Sequence, residues 1–107
     1  MSWMITFYRG VDEDLLSIPP KIQARMIRLL ELMETHGPNL GPPHTKSLGN
    51  GLFELRVKAQ EGIARGVFCY LNGERICVLS VFVKKTQKVP QNEIKIARKR
   101  QAEVKTL

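Results

Sequence analysis

The sequence predicts an α+β domain in which an N-terminal strand and helices pack on a small antiparallel β-sheet, followed by a C-terminal helix. Three observations carry this. Apolar residues recur at helical spacing between Lys21 and His36, three runs of sheet-forming residues joined by short turns fill 52–83, and a basic amphipathic stretch follows Pro90. At 107 residues, 43% of them hydrophobic, the chain supports one core, so a single domain over 1–107 is expected.

"WMITFYR" (3–9) reads as a first strand. "DEDLLSI" (12–18) reads as a short helix with acidic residues in its first turn, where the helix dipole favours them. Pro19 and Pro20 stop it and are tolerated at the start of the next helix. In that second helix Ile22, Met26, Leu29, Leu30 and Met33 form the apolar stripe, and Gly37 and Pro38 end it. "GPNLGPPHTKSLGNG" (37–51) reads as a breaker-rich loop, long enough for so small a domain to imply a functional or partner-contacting role. "LFELRVK" (52–58), "IARGVFCYL" (63–71) and "RICVLSVFV" (75–83) are expected to form an antiparallel meander, and "QNEIKIARKRQAEV" a basic terminal helix.

Charge sets the class of partner. Lys and Arg number 17 against 10 Asp and Glu, a formal +7 with a pI near 9.8, which favours polyanions unless the lysines serve only to keep the chain dispersed. No run of residues approaches a membrane span and the N-terminus lacks the layout of a secretory signal, so a cytoplasmic protein is expected. If Asn72 and Gly73 form a two-residue turn, Cys69 and Cys77 point to opposite faces of the sheet. No disulfide and no Cys/His metal site is then expected, and no cofactor.

Register brings the charges together. A turn centred between Gln60 and Glu61 sets Lys58 opposite Ile63, Arg56 opposite Arg65 and Glu54 opposite Val67, and the "NG" turn then sets Arg65 opposite Ser80. On this register one face holds Phe53, Leu55, Val57, Ala64, Phe68, Tyr70, Cys77 and Leu79 as core. The other face carries Glu54, Arg56, Lys58, Arg65, Phe82 and Lys84 at an open end, with Val67, Cys69, Ile76 and Val78 covered by the terminal helix. Two arginines directly opposite each other repel, a conflict that a phosphate between them would resolve, since guanidinium forks match phosphate oxygens. Lys84, Lys85 and Lys88 leave the strand at the same end and would complete an anion pocket, or else they only blunt a strand end. Arg65→Ala is expected to abolish activity without unfolding the domain, by relieving the like-charge pair.

These residues resemble a known family. "SLGNGLFELRV" and then "ARGVFCYLNGERICVLSVFVKKTQKVPQNEIKIARKR" are similar to the RelE/HigB toxins, in particular their phage-derived branch. The matching positions are Gly51 to Arg56, Arg65, Phe82 to Lys85, Lys88, Pro90, Glu93 and Ala97 to Arg100, and the likeness extends over about residues 3–104. The resemblance implies a RelE-like fold and a ribosome-dependent mRNA interferase of a toxin–antitoxin system. Such an enzyme cuts mRNA in the A site by attack of a 2′-OH on the adjacent phosphate, without a metal. It also implies a helix-turn-helix, HigA-like antitoxin as partner. Carried over by position, Arg56 and Arg65 would clamp the scissile phosphate, and Lys84, Lys85 or Lys88 would add phosphate contacts or a proton transfer. Either a lysine crowded by cations or Glu54 would be the base, with Glu54 otherwise a counter-ion to Arg56. Several members carry a histidine or tyrosine near the C-terminal end of the site; residues 84–106 hold neither, which leaves the general acid unassigned.

Further RNA contacts fall to Lys58, Lys88, Phe82 as a base-stacking ring, and Arg98 and Lys99 of the terminal helix. Tyr70 is expected in the core, and His36 and His44 on the surface away from catalysis. Two rival readings stay open: a ParE-like toxin acting on DNA gyrase, which leaves the arginine and lysine set without a task, and a basic nucleic-acid-binding module, for which no helix-turn-helix pattern or zinc motif is legible.

Overall fold

The computed structural model describes residues 2–84 and 90–105. The chain runs β1 (Met4–Phe7), α1 (Val11–Ser17), α2 (Pro20–His36), β2 (Thr45–Gly49), β3 (Leu52–Ala59), β4 (Gly62–Leu71), β5 (Arg75–Lys84) and α3 (Gln91–Lys105). The strands form one sheet ordered β1-β5-β4-β3-β2. The sheet is mixed, because β1 lies parallel to β5 while every other pairing is antiparallel.

The two N-terminal helices form where the residue pattern places them. Val11 and Leu15 bury one side of α1, and Ile18 is extended (ψ 159°), as a residue ahead of proline must be. Pro20 opens α2, where its missing N–H costs nothing. The Glu61 carboxylate, from the β3–β4 turn, accepts the Lys21 and Ile22 N–H groups at 2.8 and 3.1 Å, so the turn caps the helix. Gly37, at φ 92°, closes α2 with its N–H on the Met33 carbonyl. Ile22, Met26, Leu29, Leu30 and Met33 then pack on Leu55, Val57, Ala64 and Phe68 as the main core.

Three findings differ from the sequence reading. The segment 37–51 holds a strand, β2, whose Thr45, Lys46 and Ser47 pair with Leu55, Glu54 and Phe53. Its polar residues hide it, since only Thr45 is buried. The β4–β5 turn takes three residues, with Gly73 and Glu74 at φ 80° and 57°, and Leu71 opposite Arg75. A bulge then sets Val67 opposite Ser80 and Phe68 opposite Val78, leaving Leu79 as the extra residue. Consequently Cys69 and Cys77 are direct cross-strand partners on one face and not on opposite faces, and both thiols are free. Ile76 and Val78 join the main core, while Cys77 and Leu79 join Leu52, Val67, Cys69 and Ala97 in a smaller cluster under α3. Tyr70 is 46% exposed, its ring tilted on Phe53 at 5.8 Å, and is not a core residue.

Helix α3 contributes little apolar surface, with Ala97 and Gln101 its buried residues. Hydrogen bonds to the main chain hold it: Arg98 to the Leu48 carbonyl at 3.1 Å, Arg100 to Leu79 at 2.6 Å and Gln101 to Asn50 at 2.9 Å. The Arg100 guanidinium also lies 4.6 Å from the centre of the Tyr8 ring, whose hydroxyl donates to Glu103. Among the described residues no helix is long and apolar enough to cross a membrane.

Candidate active site

The sheet face that carries α3 at one end continues at the other as a grid set by pairing. One row runs Lys46, Glu54, Val67, Ser80; the next runs Arg56, Arg65, Phe82; the third runs Lys58, Ile63, Lys84. Arg56 and Arg65 stand opposite each other as the register predicts, but Arg65 faces Phe82 and not Ser80. The longer turn and the bulge each displace β5 by one residue, and two such shifts return Ser80, Phe82 and Lys84 to the face of Arg65.

The like-charge conflict is resolved within the protein. Glu54 Oε1 lies 3.1 Å from Arg56 Nε and 3.0 Å from Arg65 Nε, so one carboxylate holds two guanidinium groups. Glu54 and Arg65 are only 4% exposed, whereas Arg56 reaches solvent. The Arg65 Nε is buried against Glu54 in that ion pair, while Nη1 donates to its neighbour's carbonyl, Ala64, at 3.1 Å. A buried guanidinium fixed by Glu54 next to a half-exposed one that shares the same carboxylate gives a rigid cationic pair able to attract an anion. Burial lowers the Arg65 pKa, and Arg56 adds to that, against the opposing pull of Glu54.

Lys84 ends β5 at 6% exposure. Its pKa is pushed down, first by burial, then by the Arg65 charge, with Arg56 contributing and Glu54 opposing. Burial and its cationic neighbours thus ease proton loss from Lys84. Lys85 and Lys88 lie outside the described residues. Lys58 is exposed on the third row. Phe82 is half-buried against the cluster under α3, so part of its ring is already used. Arg98 is turned to Leu48 and tethers α3, and Lys99 is exposed on the same helix; neither shares the grid.

The sequence reading missed three basic residues near this site, Lys46, Arg25 and Arg28, and set a fourth, His44, aside. Lys46 stands opposite Glu54 because β2 exists. Arg25, Arg28 and His44 line, with Arg56, Lys58 and Arg65, a cleft of about 590 Å³ that wraps around the edge of β3. Their signal was available: Arg25 and Arg28 fall on the polar side of the α2 stripe, one turn apart. Among the described residues no cluster of three or more His, Cys, Asp or Glu could hold a metal ion. Burial raises both thiols, Cys69 to about 11 with the neighbouring Cys77 adding to the rise, and suits them to packing more than to chemistry.

Comparison with known proteins agrees with this architecture. Residues 13–102 match the family described as phage-derived protein Gp49-like (DUF891), and the chain belongs to that family. Its fold is that of the RelE toxins. A chain of the toxin–antitoxin complex RelBE2 from Mycobacterium tuberculosis superposes with a TM-score of 0.56 at 17% identity, over 78% of this chain and 100% of that one. The archaeal RelE–RelB complex from Pyrococcus horikoshii OT3 gives 0.59 at 16% identity, over 78% and 96%. A double arginine-to-alanine mutant of E. coli toxin RelE in the free state gives 0.59 at 13% identity, over 94% and 98%. A comparison by sequence with curated proteins returned no match.

Proposed function

We propose that this protein is the toxin of a toxin–antitoxin pair and a metal-independent endoribonuclease that cleaves mRNA on the ribosome, in the A site. The observation that carries the reading is the buried Glu54 holding Arg56 and Arg65 together at the charged end of the sheet face, with the depressed Lys84 on the same face. In this reading the two guanidinium groups bind the non-bridging oxygens of the scissile phosphate and the charge that grows on them. Neutral Lys84 takes the proton of the adjacent ribose 2′-OH. The 2′-oxygen bonds to phosphorus, the bond to the 5′-oxygen breaks, and the products are a 2′,3′-cyclic phosphate and a 5′-hydroxyl end that gains one proton. Glu54 acts as a positioning residue, since both arginines occupy its carboxylate. Lys85 and Lys88 remain candidates for the leaving-group proton. A HigA-like antitoxin with a helix-turn-helix domain is the partner this reading assigns.

The test is cleavage of a defined mRNA by the purified protein with and without programmed ribosomes, EDTA being present in the ribosome-free arm, with ends mapped by primer extension. Cuts confined to the ribosome arm are expected. No cuts in either arm, with growth arrest retained in cells, would replace this reading by a ParE-like action on DNA gyrase.

A further inference from the structure

The cleft at the β3 edge extends beyond the grid. β2 begins at Thr45, opposite Leu55, so the stretch of β3 from Arg56 to Ala59, paired with β4 on one side, has no strand on the other. A bare edge invites strand addition, yet two of its outward groups are already used. The Arg56 N–H donates to the His44 carbonyl at 2.8 Å, and Arg25 Nη1 donates to the Lys58 carbonyl at 3.0 Å. What the edge offers a ligand is therefore side chains. Their arrangement is amphiphilic: Leu29, Pro43, Val57 and Ile63 supply apolar walls, and Arg25, Arg28, His44 and Lys58 supply a basic rim. Arg28 has only a loose pairing, 3.9 Å from Glu31, with both side chains largely in solvent.

We propose that this cleft is a second nucleotide subsite, which holds a residue of the same single-stranded RNA next to the scissile phosphate, its phosphate on Arg25 and Arg28 and its base against the apolar walls. The inference rests on the interferase reading and deepens it. An apolar wall with a basic rim matches a planar base joined to a phosphate, and the cleft shares Arg56 and Arg65 with the site, so one strand can occupy both. An acidic peptide would use the rim and leave the walls unfilled.

The experiment is fluorescence anisotropy of the full chain with 2′-O-methyl oligoribonucleotides, which bind but lack the attacking hydroxyl, across a salt titration. Arg25→Ala/Arg28→Ala is expected to weaken a hexanucleotide about tenfold. It is also expected to lower the slope of log affinity against log salt by about 0.7 for each phosphate no longer neutralised, while leaving dinucleotide binding unchanged. Arg25→Lys/Arg28→Lys should restore the slope. Because Arg25 also holds the Lys58 carbonyl, Arg28→Glu alone, on the solvent side of α2, provides a second variant with the same expected direction. Unchanged hexanucleotide affinity and slope would overturn the subsite. So would absence of oligonucleotide binding by the parent chain, or loss of oligoglutamate binding alone. Cleavage on ribosomes is scored separately: a parent that cuts, with affinity indifferent to Arg25 and Arg28, keeps the interferase and removes the subsite. A parent that never cuts, yet loses hexanucleotide on these substitutions, does the reverse.

Discussion

Lys84 and Glu54 are charged groups buried at the charged end of the sheet, Lys84 at 6% exposure and Glu54 at 4%. The lowered pKa of Lys84 means that between that value and 10.5 the unfolded chain holds more protons on this group than the native one. Stability therefore rises with pH across that window, and on its acid side the whole cost of burying the ammonium is present. Lys84→Met should raise stability on the acid side of that window by about 1 kcal/mol, or ~4–8 °C in Tm for a domain of this size, with the gain shrinking as pH climbs toward 10.5, while cleavage is lost. Parallel melts at two pH values and an mRNA assay check both halves. Glu54→Gln removes the charge between two guanidinium groups and should cost on the order of 3 kcal/mol in urea unfolding. The same carboxylate changes the expectation for Arg65→Ala, which exposes no relieved repulsion but takes a buried partner from Glu54. The facing arginines were legible in the sequence because the β3–β4 turn is symmetric about its centre. Glu54 as their common partner was not, because it reaches Arg65 along a diagonal that pairing rules alone do not rank.

At the scale of elements, the β4–β5 hairpin decides what the sequence could and could not tell. A two-residue turn at Asn72 and Gly73 is the natural reading, but Glu74 joins the turn in the left-handed region and Leu79 is added in the strand. One offset inverts the faces of residues 76–79; two restore those of 80–84. The facing of residues 80–84 was therefore readable while that of the region around the cysteines was not. Placing a non-glycine residue at φ 57° has a cost, so Glu74→Gly should stabilise the fold by about 0.5–1 kcal/mol without moving the register, as thermal unfolding with retained activity would show. β2 escaped notice for a different reason. A five-residue polar strand between glycines has no periodicity to detect, and only its partner β3 makes it a strand.

Across the whole molecule the two faces of the sheet do different work. Helices α1 and α2 bury the larger cluster, which carries the stability and was legible from the α2 stripe, whereas the parallel docking of β1 on β5 leaves no mark in local pattern. The other face is sealed at one end by α3 and given to charge at the other. The attachments of α3 have a wider consequence. Arg98 grips β2, Gln101 grips the β2–β3 turn and Arg100 grips β5, so the helix braces strands that never touch one another. Arg100→Ala should open α3 by about 1.4 kcal/mol, a tenfold rise in amide exchange. β2 has one neighbouring strand and relies on the same helix for its second support, so its amides should quicken in step although they lie across the sheet from the substitution. The two ends of the sheet are thus in mechanical communication through a helix, and deuterium uptake at Lys46 to Leu48 would report an event at Leu79.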